Sequence, residues 1–330
     1  MKPFAYERAG SVRAAVTAAV DDPGAVFLGG GTNLVDHLRL GITHPGRLID
    51  VSRLPLEDVE ELPDGGLRIG ATLRNSDLAA HPLVRTRFPV LSRALLAGAS
   101  GQLRNAATTA GNLLQRTRCR YFQDPTTPCN KRDPGSGCSA LTGYTRQHAV
   151  LGASEECIAV HPSDMAVAAA ALDAVVVTTG PEGERRLPVT ELLRLPGDEP
   201  QRDNTLLHGE LITALEVPPL PAAARSGYRK VRDRASFAFA LVSVAAVVET
   251  EGSTVRWARI ALGGVAHKPW RATRAEDALA GAPATEDSFR RAAEAELAAA
   301  EPLPGNAFKV PMARRTLTAV LSDLTAGEPQ

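Results

Sequence analysis

The chain has 330 residues, 44% of them apolar, and carries 37 basic and 37 acidic side chains. This length allows two or three domains, and a net charge of zero provides no long-range attraction for nucleic acid or an anionic membrane. No run of eighteen apolar residues predicts a membrane span, and no secretory signal is recognisable, so we expect a cytoplasmic protein, or a periplasmic one if an exported partner carries it.

The first 55 residues predict a small βαβ-type lobe. Ser11 can cap a helix whose apolar positions repeat with helical spacing as far as Ala19. Residues 25–28 and 47–51 are short apolar stretches typical of strands. The first of these strands leads directly into a glycine-rich loop at residues 29–33, and open α/β sheets tend to bind ligands at this end of a strand.

Residues 56–222 predict a second lobe that an irregular segment interrupts. Strands and helices are expected at residues 67–71, 88–99, 163–172, 174–179 and 206–217. Prolines and glycines between about residues 115 and 160 exclude long regular elements there. So long a structureless segment inside a compact domain indicates either a function or disorder.

The proline-rich residues 218–221 are the best linker in the chain, and we place a domain boundary near residue 222. Beyond it, a β-hairpin and three helices are expected at residues 239–250, 255–262, 271–280, 284–300 and 310–325. Strands followed by helices indicate an α+β domain at residues 223–330. The predicted fold class is therefore α+β, with a two-lobed domain at residues 1–222 followed by a smaller α+β domain.

The glycine-rich loop has the properties of a phosphate-binding loop; its residues are Gly29, Gly30, Gly31, Thr32 and Asn33. Glycines expose backbone N–H groups and allow a phosphate to approach closely, and the two polar residues add donors at the start of the next helix. The pattern matches neither the dinucleotide fingerprint nor the Walker loop. A glycine triplet after a strand is also frequently a simple tight turn, so both interpretations remain open at this point.

Six segments of the chain form a recognisable set, in the order 27–34 (FLGGGTNL), 103–113 (LRNAATTAGNL), 161–164 (HPSD), 228–242, 262–266 (LGGVA) and 304–309 (PGNAFK). Together they resemble the flavoprotein family of xanthine dehydrogenase and carbon monoxide dehydrogenase, over essentially the whole chain. The resemblance implies a two-lobed FAD-binding domain of the molybdenum hydroxylase type, with FAD extended between the lobes, followed by the family's α+β C-terminal domain.

The resemblance also implies which residues contact FAD. The glycine-rich loop would hold the pyrophosphate, and Lys230 would lie near the isoalloxazine, where a cation favours the anionic reduced flavin. Ala110 stands where the family commonly has glycine and adds a methyl group near the cofactor. Without the resemblance, Asp164 could be an ordinary acid in a first helical turn and Lys230 a solvated strand residue. The expected FAD-binding residues are Leu28, Gly29, Gly30, Gly31, Thr32, Asn33, Ala107, Thr108, Gly111, Asn112, Asp164 and Lys230; no catalytic acid or nucleophile is nominated.

All four cysteines of the chain, Cys119, Cys129, Cys138 and Cys157, lie within 39 residues. They belong to an insertion, because the second loop and the serine–aspartate helix start are much closer in sequence in plain members of the family. The insertion resembles the one that carries a [4Fe–4S] cluster in aldehyde oxidoreductase-type relatives, which implies that the four thiolates bind such a cluster. A structural zinc, whose ligands usually come as closely spaced pairs, and disulfides or free thiols are the alternatives.

The resemblance implies an electron-transfer subunit of a molybdenum-dependent aldehyde oxidoreductase or xanthine dehydrogenase-type complex. A small [2Fe–2S] subunit would deliver electrons to FAD, an external acceptor would collect them, and a large molybdopterin subunit would oxidise the substrate. The [2Fe–2S] clusters would have to come from a separate chain, because no cysteine of this chain remains for them. Together the three subunits would form a heterotrimer or a dimer of heterotrimers. A free-standing flavin oxidoreductase, and a scaffold subunit with a structural zinc, are the other functions considered.

Overall fold

The computed structural model describes residues 1–326, which form three β-sheets and the helices that cover them. The strands are β1 (Ala5–Arg8), β2 (Ala25–Leu28), β3 (Arg47–Asp50), β4 (Val59–Glu61), β5 (Leu67–Gly70), β6 (Val175–Gly180), β7 (Gly183–Pro188), β8 (Leu211–Val217), β9 (Arg225–Val231), β10 (Val242–Glu251), β11 (Thr254–Gly263) and β12 (Trp270–Arg271). The helices are α1 (Val12–Val20), α2 (Leu34–Leu40), α3 (Asn75–Ala80), α4 (Pro82–Arg87), α5 (Pro89–Ala97), α6 (Gly101–Arg104), α7 (Thr109–Leu113), α8 (Arg120–Gln123), α9 (Asp164–Ala171), α10 (Val189–Leu192), α11 (Thr273–Leu279), α12 (Glu286–Leu297) and α13 (Lys309–Thr325).

The N-terminal lobe is a parallel sheet with strand order β1-β3-β2, against which α1 packs. The Ser11 hydroxyl caps α1 by accepting a hydrogen bond from the Ala14 N–H at 3.1 Å. The predicted helix and both predicted strands of this lobe are confirmed. Strand β1 was not predicted, because all four of its side chains are exposed and it has no buried face to show in the sequence.

The second lobe contains an antiparallel sheet with strand order β4-β5-β8-β6-β7. The prediction that β8 begins at Leu206 is wrong: residues 207–210 form a turn, in which the Glu210 N–H donates to the Leu207 carbonyl at 3.0 Å, and the strand begins at Leu211. The segment between residues 115 and 160 contains one short helix, α8, as its prolines and glycines predicted. No helix within residues 1–326 combines the length and the apolarity that crossing a membrane requires.

The third sheet has strand order β12-β11-β10-β9, and its central strand β10 is buried on both faces over residues 242–249. Along β10, Val244 and Ala246 belong to the core formed with α11, α12 and α13, whereas Ala245 and Val247 belong to the core formed with α5 and α9. Every residue of α9 is buried, as expected of a helix that is apolar on all sides. This packing brings Asp164, at the first position of α9, into the interior next to β9.

Candidate cofactor site

The two predicted FAD loops contact each other. Gly29 and Gly30 follow the carboxyl end of β2, and a Cβ atom on Gly30 would overlap the backbone carbonyl of Ala106 in the second loop. A Cβ atom on Gly29 would lie 3.0 Å from the Thr108 hydroxyl oxygen. Gly31 has a φ of 73°, a conformation that favours glycine. The glycines are therefore required by the close approach of the second loop as well as by the turn.

Side chains of both loops fix the geometry of this junction. The Asn33 side-chain oxygen accepts a hydrogen bond from the Arg116 N–H at 2.8 Å, which connects the first loop to the segment that follows the second. The Thr108 hydroxyl caps α7 by accepting from the Gly111 N–H at 3.2 Å. The Asn112 side-chain oxygen accepts from the Ser163 hydroxyl at 2.6 Å. The second loop is thus held between the first loop and the start of α9.

The loops line two adjoining cavities of about 450 and 240 Å³. Thr32, Asn33 and Gly111 line both cavities, so the two share a wall. Of the remaining residues predicted to bind FAD, the larger cavity is lined by Ala107, Asn112, Asp164 and Lys230, and the smaller by Gly29, Gly30, Gly31 and Thr108. Leu28 lines neither cavity and instead lies beneath Gly31, whose position for a Cβ atom is 3.6 Å from the Leu28 Cδ1.

Asp164 and Lys230 form a buried ion pair at the larger cavity. The Lys230 Nζ lies 2.8 Å from the Asp164 Oδ2, and the two side chains are only 3% and 8% exposed. Lys230 also donates to the Ala97 carbonyl at 3.2 Å, and the Tyr228 hydroxyl donates to the Asp164 Oδ1. Burial and the Asp164 charge raise the pKa of Tyr228 well above its usual value, which keeps this hydroxyl protonated. The alternative that Lys230 is a solvated strand residue is therefore wrong.

Arg118 and Asn75 are among the residues of the larger cavity that sequence reasoning did not nominate. Arg118 lines it, and burial lowers the pKa of this guanidinium to about 10, partly offset by Asp36, so it remains a cation at neutral pH. Asn75 is 3% exposed, and its side-chain oxygen has no hydrogen-bond partner. No sequence motif marks Asn75, whereas the position of Arg118 next to a cysteine was a signal that could have been used.

These features fit FAD. Two adjoining cavities of this size match an extended dinucleotide better than a small metabolite. The backbone N–H groups of the glycine loop, which lines the smaller cavity, and the half-buried Arg118, which lines the larger one, suit a pyrophosphate. The unpartnered Asn75 oxygen can accept a hydrogen bond from a bound ligand, which would remove the cost of leaving a buried polar atom unsatisfied.

The four cysteines line one small cavity beside the flavin cavities. Cys129 and Cys138 face each other in an isolated antiparallel bridge, and none of the four is in a disulfide. Cys119 precedes α8, and the insertion returns to the same cavity at Cys157. Within residues 1–326, no three His, Cys, Asp or Glu side chains are grouped closely enough to hold a single metal ion.

Hydrogen bonds hold the cysteine segments together. The Asn130 amide donates to the Glu156 carboxylate at 2.5 Å, and its oxygen accepts from the Gly137 N–H at 2.7 Å. One side chain thereby connects the residues adjacent to three of the cysteines. Phe122 is fully buried against Ile42 and the first two cysteines, where it fills a small apolar core.

Burial raises the pKa of the Cys157 thiol to about 12, and burial also raises the pKa of Cys119. For both thiols, the other cysteines of the cavity contribute to the rise, because neighbouring thiolates repel one another. Four thiolates in this position therefore need a positive group among them to be stable.

Comparisons with known proteins agree with the predicted family. Residues 2–220 match the family described as FAD binding domain in molybdopterin dehydrogenase, and residues 226–323 match the CO dehydrogenase flavoprotein C-terminal domain. The aldehyde oxidoreductase FAD-binding subunit PaoB of Escherichia coli K12 is 56% identical over 328 residues, which cover 99% of both chains.

More distant relatives share the whole architecture. The carbon monoxide dehydrogenase medium chain of Hydrogenophaga pseudoflava is 28% identical, over 90% of this chain and 88% of the relative. A solved structure of carbon monoxide dehydrogenase from the same organism, which lacks the Mo-pyranopterin moiety of its molybdenum cofactor, superposes with a TM-score of 0.77 and 27% identity over 98% of both chains. The chain belongs to the family of FAD-binding medium subunits of xanthine dehydrogenase- and carbon monoxide dehydrogenase-type oxidoreductases.

Proposed function

We propose that this chain is the FAD- and [4Fe–4S]-containing electron-transfer subunit of a molybdenum-dependent aldehyde oxidoreductase. In this function, electrons arrive from the [2Fe–2S] clusters of a small partner subunit and leave through FAD to an external acceptor. One observation carries the proposal: residues from four distant parts of the sequence, all expected to bind FAD, converge on one cavity of about 450 Å³. The aldehyde substrate class follows from the name of the relative that is 56% identical.

The backbone of Gly29, Gly30 and Gly31 would bind the pyrophosphate of FAD, with Thr32 and Asn33 beside it. The second loop would hold the cofactor from the opposite side, through Ala107, Thr108, Gly111 and Asn112. Leu28 would support the glycine turn from below. Bound FAD would supply the conversion between one-electron and two-electron transfer. We assign no acid–base catalyst to this chain, because the residues around the cavity bind and orient rather than transfer protons to a substrate.

Lys230 and Asp164 would set the electrostatic environment of the flavin ring. Because the lysine is paired with the carboxylate, the cation acts on the ring as one end of a dipole rather than as an isolated charge. The Tyr228 hydrogen bond holds the Asp164 carboxylate in its orientation. This arrangement refines the expectation of a bare cation near the isoalloxazine.

The cysteine cavity would hold the [4Fe–4S] cluster, with Cys119, Cys129, Cys138 and Cys157 as its ligands. Four thiols at one cavity, two of them buried and two half-buried and all free of disulfides, support this proposal, because a cubane cluster takes four cysteine thiolates. The positive iron core would relieve the mutual repulsion of the thiolates, which otherwise favours their protonated forms.

The proposed assembly contains a small [2Fe–2S] subunit and a large molybdopterin subunit, in a heterotrimer or a dimer of heterotrimers. The proposed domain boundary lies near residue 222, in the linker between β8 and β9, with the lobes at about residues 1–55 and 56–222. We propose a cytoplasmic location, or a periplasmic one if a signal-bearing partner exports the folded complex.

The absorbance spectrum and the metal content of the purified chain test this function. We expect a flavin band together with broad absorption near about 400 nm that dithionite bleaches, and four irons and four acid-labile sulfides for each FAD, as a cubane cluster requires. The variant C157S should lose iron and keep FAD, because Cys157 lines only the cysteine cavity among the cavities described.

Flavin without iron would contradict the cluster, and stoichiometric zinc without flavin would favour the scaffold alternative. Co-purification with the neighbouring subunits tests the assembly. A chain that oxidises aldehydes with no partner would instead be a free-standing flavin oxidoreductase. Each result changes a different part of the proposal, so the parts can be judged separately.

A further inference from the structure

His148, inside the insertion, contacts the first of the four cysteines. Its Nε2 lies 3.1 Å from the Cys119 Sγ, within hydrogen-bonding distance for sulfur. His148 is 4% exposed, so water does not compete for this contact. Neither the sequence motifs nor the proposed function gives this histidine a role.

The position of His148 is fixed from outside the cysteine cavity. Its backbone carbonyl accepts a hydrogen bond from the buried Lys309 Nζ at 2.8 Å, and Asn306 donates to the same carbonyl and to the Ala149 carbonyl. The Tyr121 ring stacks on the imidazole, with 6.5 Å between the ring centroids and 28° between the planes. Lys309 at the start of α13, Asn306 three residues before it, and Tyr121 of α8 therefore hold the imidazole against Cys119.

The contacts of the ring favour a proton on Nε2. The His148 Nδ1 is buried and makes no hydrogen bond of good geometry, with only the Thr145 carbonyl near the ring, whereas Nε2 lies 3.1 Å from the Cys119 sulfur. A metal-bound thiolate can only accept a hydrogen bond. A proton on Nε2 makes that hydrogen bond, whereas a proton on Nδ1 would leave the Nε2 lone pair facing the lone pairs of the sulfur.

His148 is not a fifth ligand of the cysteine cavity. All four cysteines line that cavity, and His148 is not among the residues that line it. Together with Cys119, it lines a separate small cavity whose wall also contains Arg118 and Asp164 from the flavin site. His148 therefore approaches Cys119 from the side on which the flavin cavity lies.

We propose that His148 is a positioning residue that donates a hydrogen bond from Nε2 to the Cys119 sulfur and thereby raises the reduction potential of the [4Fe–4S] cluster. The proposal rests on the proposed function, because it requires the cluster. Reduction adds one electron to the cluster and makes or breaks no covalent bond. The added negative charge is shared with the ligand sulfurs, so a hydrogen bond to one of them stabilises the reduced form more than the oxidised form.

Redox titration of the purified complex, followed by the electron paramagnetic resonance signal of the reduced cluster, tests the proposal. In H148L the hydrogen bond is lost, and the ratio of reduced to oxidised cluster at a fixed potential should fall about tenfold, which is about 59 mV for one electron. In H148Q, whose amide can place an N–H near the Nε2 position, most of the wild-type midpoint should return. H208L is a matched control, because His208 bonds the Ala19 carbonyl in the N-terminal lobe instead of a cysteine, and it should keep the wild-type midpoint.

An unchanged midpoint in H148L with a full complement of iron would overturn the proposal. If H148L loses its cluster, the wild-type complex labelled with ¹⁵N-histidine decides the question by pulsed paramagnetic resonance: a ¹⁵N coupling to the reduced cluster that disappears in H148Q supports the contact, and no coupling overturns it. A wild-type chain that binds FAD but no iron is a different result, because it contradicts the cluster in the proposed function.

Discussion

Asn112 and Ser163 are joined by a 2.6 Å hydrogen bond although 51 residues of sequence separate them. The insertion that carries the cysteines leaves the second flavin loop and returns to the first turn of α9 at nearly the same place. The flavin loops can therefore keep their mutual geometry while a cysteine-lined cavity is added beside them. This relationship explains how one chain can contain two candidate redox sites without a separate domain for the second.

Replacing Ser163 with alanine should weaken both the contact with Asn112 of the second loop and the start of α9. The Ser163 hydroxyl donates to Asn112 and also caps α9 by accepting from the Ala166 N–H at 2.9 Å. We expect S163A to lower the free energy of unfolding by about 1–2 kcal/mol and to weaken FAD binding. S11A is the matched control, because Ser11 caps α1 in the same way but bonds to no flavin loop. Denaturant unfolding and FAD titration measure the two effects, and equal FAD affinity in both variants would contradict the role of the junction.

Adding a methyl group at Gly30 should separate the two flavin loops. A Cβ atom there would overlap the Ala106 carbonyl, so the loops must move apart. We expect G30A to bind FAD at least tenfold more weakly, a loss of about 1.4 kcal/mol. G10A is the control, because no atom lies within 4 Å of a Cβ atom at Gly10. Titration of the apoprotein with FAD makes the comparison, and wild-type affinity in G30A would show that the loops do not need this approach.

Elements with a buried face were predictable from the sequence, and elements without one were not. The cap at Ser163 and the apolar run behind it predicted α9, which the structure confirms. Strand β7 pairs along the edge of its sheet with the charged sequence GERRLP, whose side chains are exposed or half-buried, so no alternation of apolar residues marks it. Sequence periodicity reports burial, and an exposed edge strand has little burial to report.

In the candidate site, too, features that are local in sequence were easier to predict than contacts between distant residues. The loop residues at the cavities were nominated through the family resemblance, which rests on short segments that are local in sequence; without it the glycine triplet could equally have been a tight turn. The Asp164–Lys230 ion pair joins residues 66 positions apart, and the contact of His148 with Cys119 joins residues 29 apart. Such contacts depend on how the third sheet and α13 pack against the insertion, and no local pattern encodes that packing.

Breaking the Asp164–Lys230 ion pair should destabilise the fold strongly. K230M leaves the buried Asp164 carboxylate with the Tyr228 hydroxyl but without its cation, and we expect a loss of about 3–5 kcal/mol in the free energy of unfolding. R229M is the matched control on the same strand, because the Arg229–Asp323 pair is largely exposed and should contribute only about 0–1 kcal/mol.

The double variant K230M/D164N separates the charge effect from packing. It removes the unpaired carboxylate, so it should be more stable than K230M alone. Denaturant unfolding of the three variants completes the measurement. Losses of the same size in K230M and R229M would mean that the buried pair has no special energetic role.

Lys309 should make stability depend on pH above neutrality. It is fully buried, its Nζ donates to the His148 and Gly264 carbonyls, and burial lowers its pKa to about 7 from 10.5. Between these two values the unfolded chain binds more protons at this side chain than the folded chain does. The Lys309 contribution to the free energy of unfolding must therefore rise as the pH rises through that window, and it stays constant below about pH 7.

The difference in unfolding free energy between wild type and K309M isolates this contribution, because the other groups titrate in both proteins. We expect the unfolding free energy of wild type to rise relative to that of K309M between about pH 7 and about pH 9.5, because over this range the folded-state lysine has lost its proton while the unfolded-state lysine still binds one. K2M replaces an exposed lysine at the N-terminus, so its unfolding free energy should change with pH in the same way as that of wild type. Urea unfolding at several pH values measures both differences. A difference that does not change with pH would mean that the two carbonyl hydrogen bonds keep Lys309 protonated in the folded protein, and that His148 is anchored by a buried cation rather than by a neutral amine.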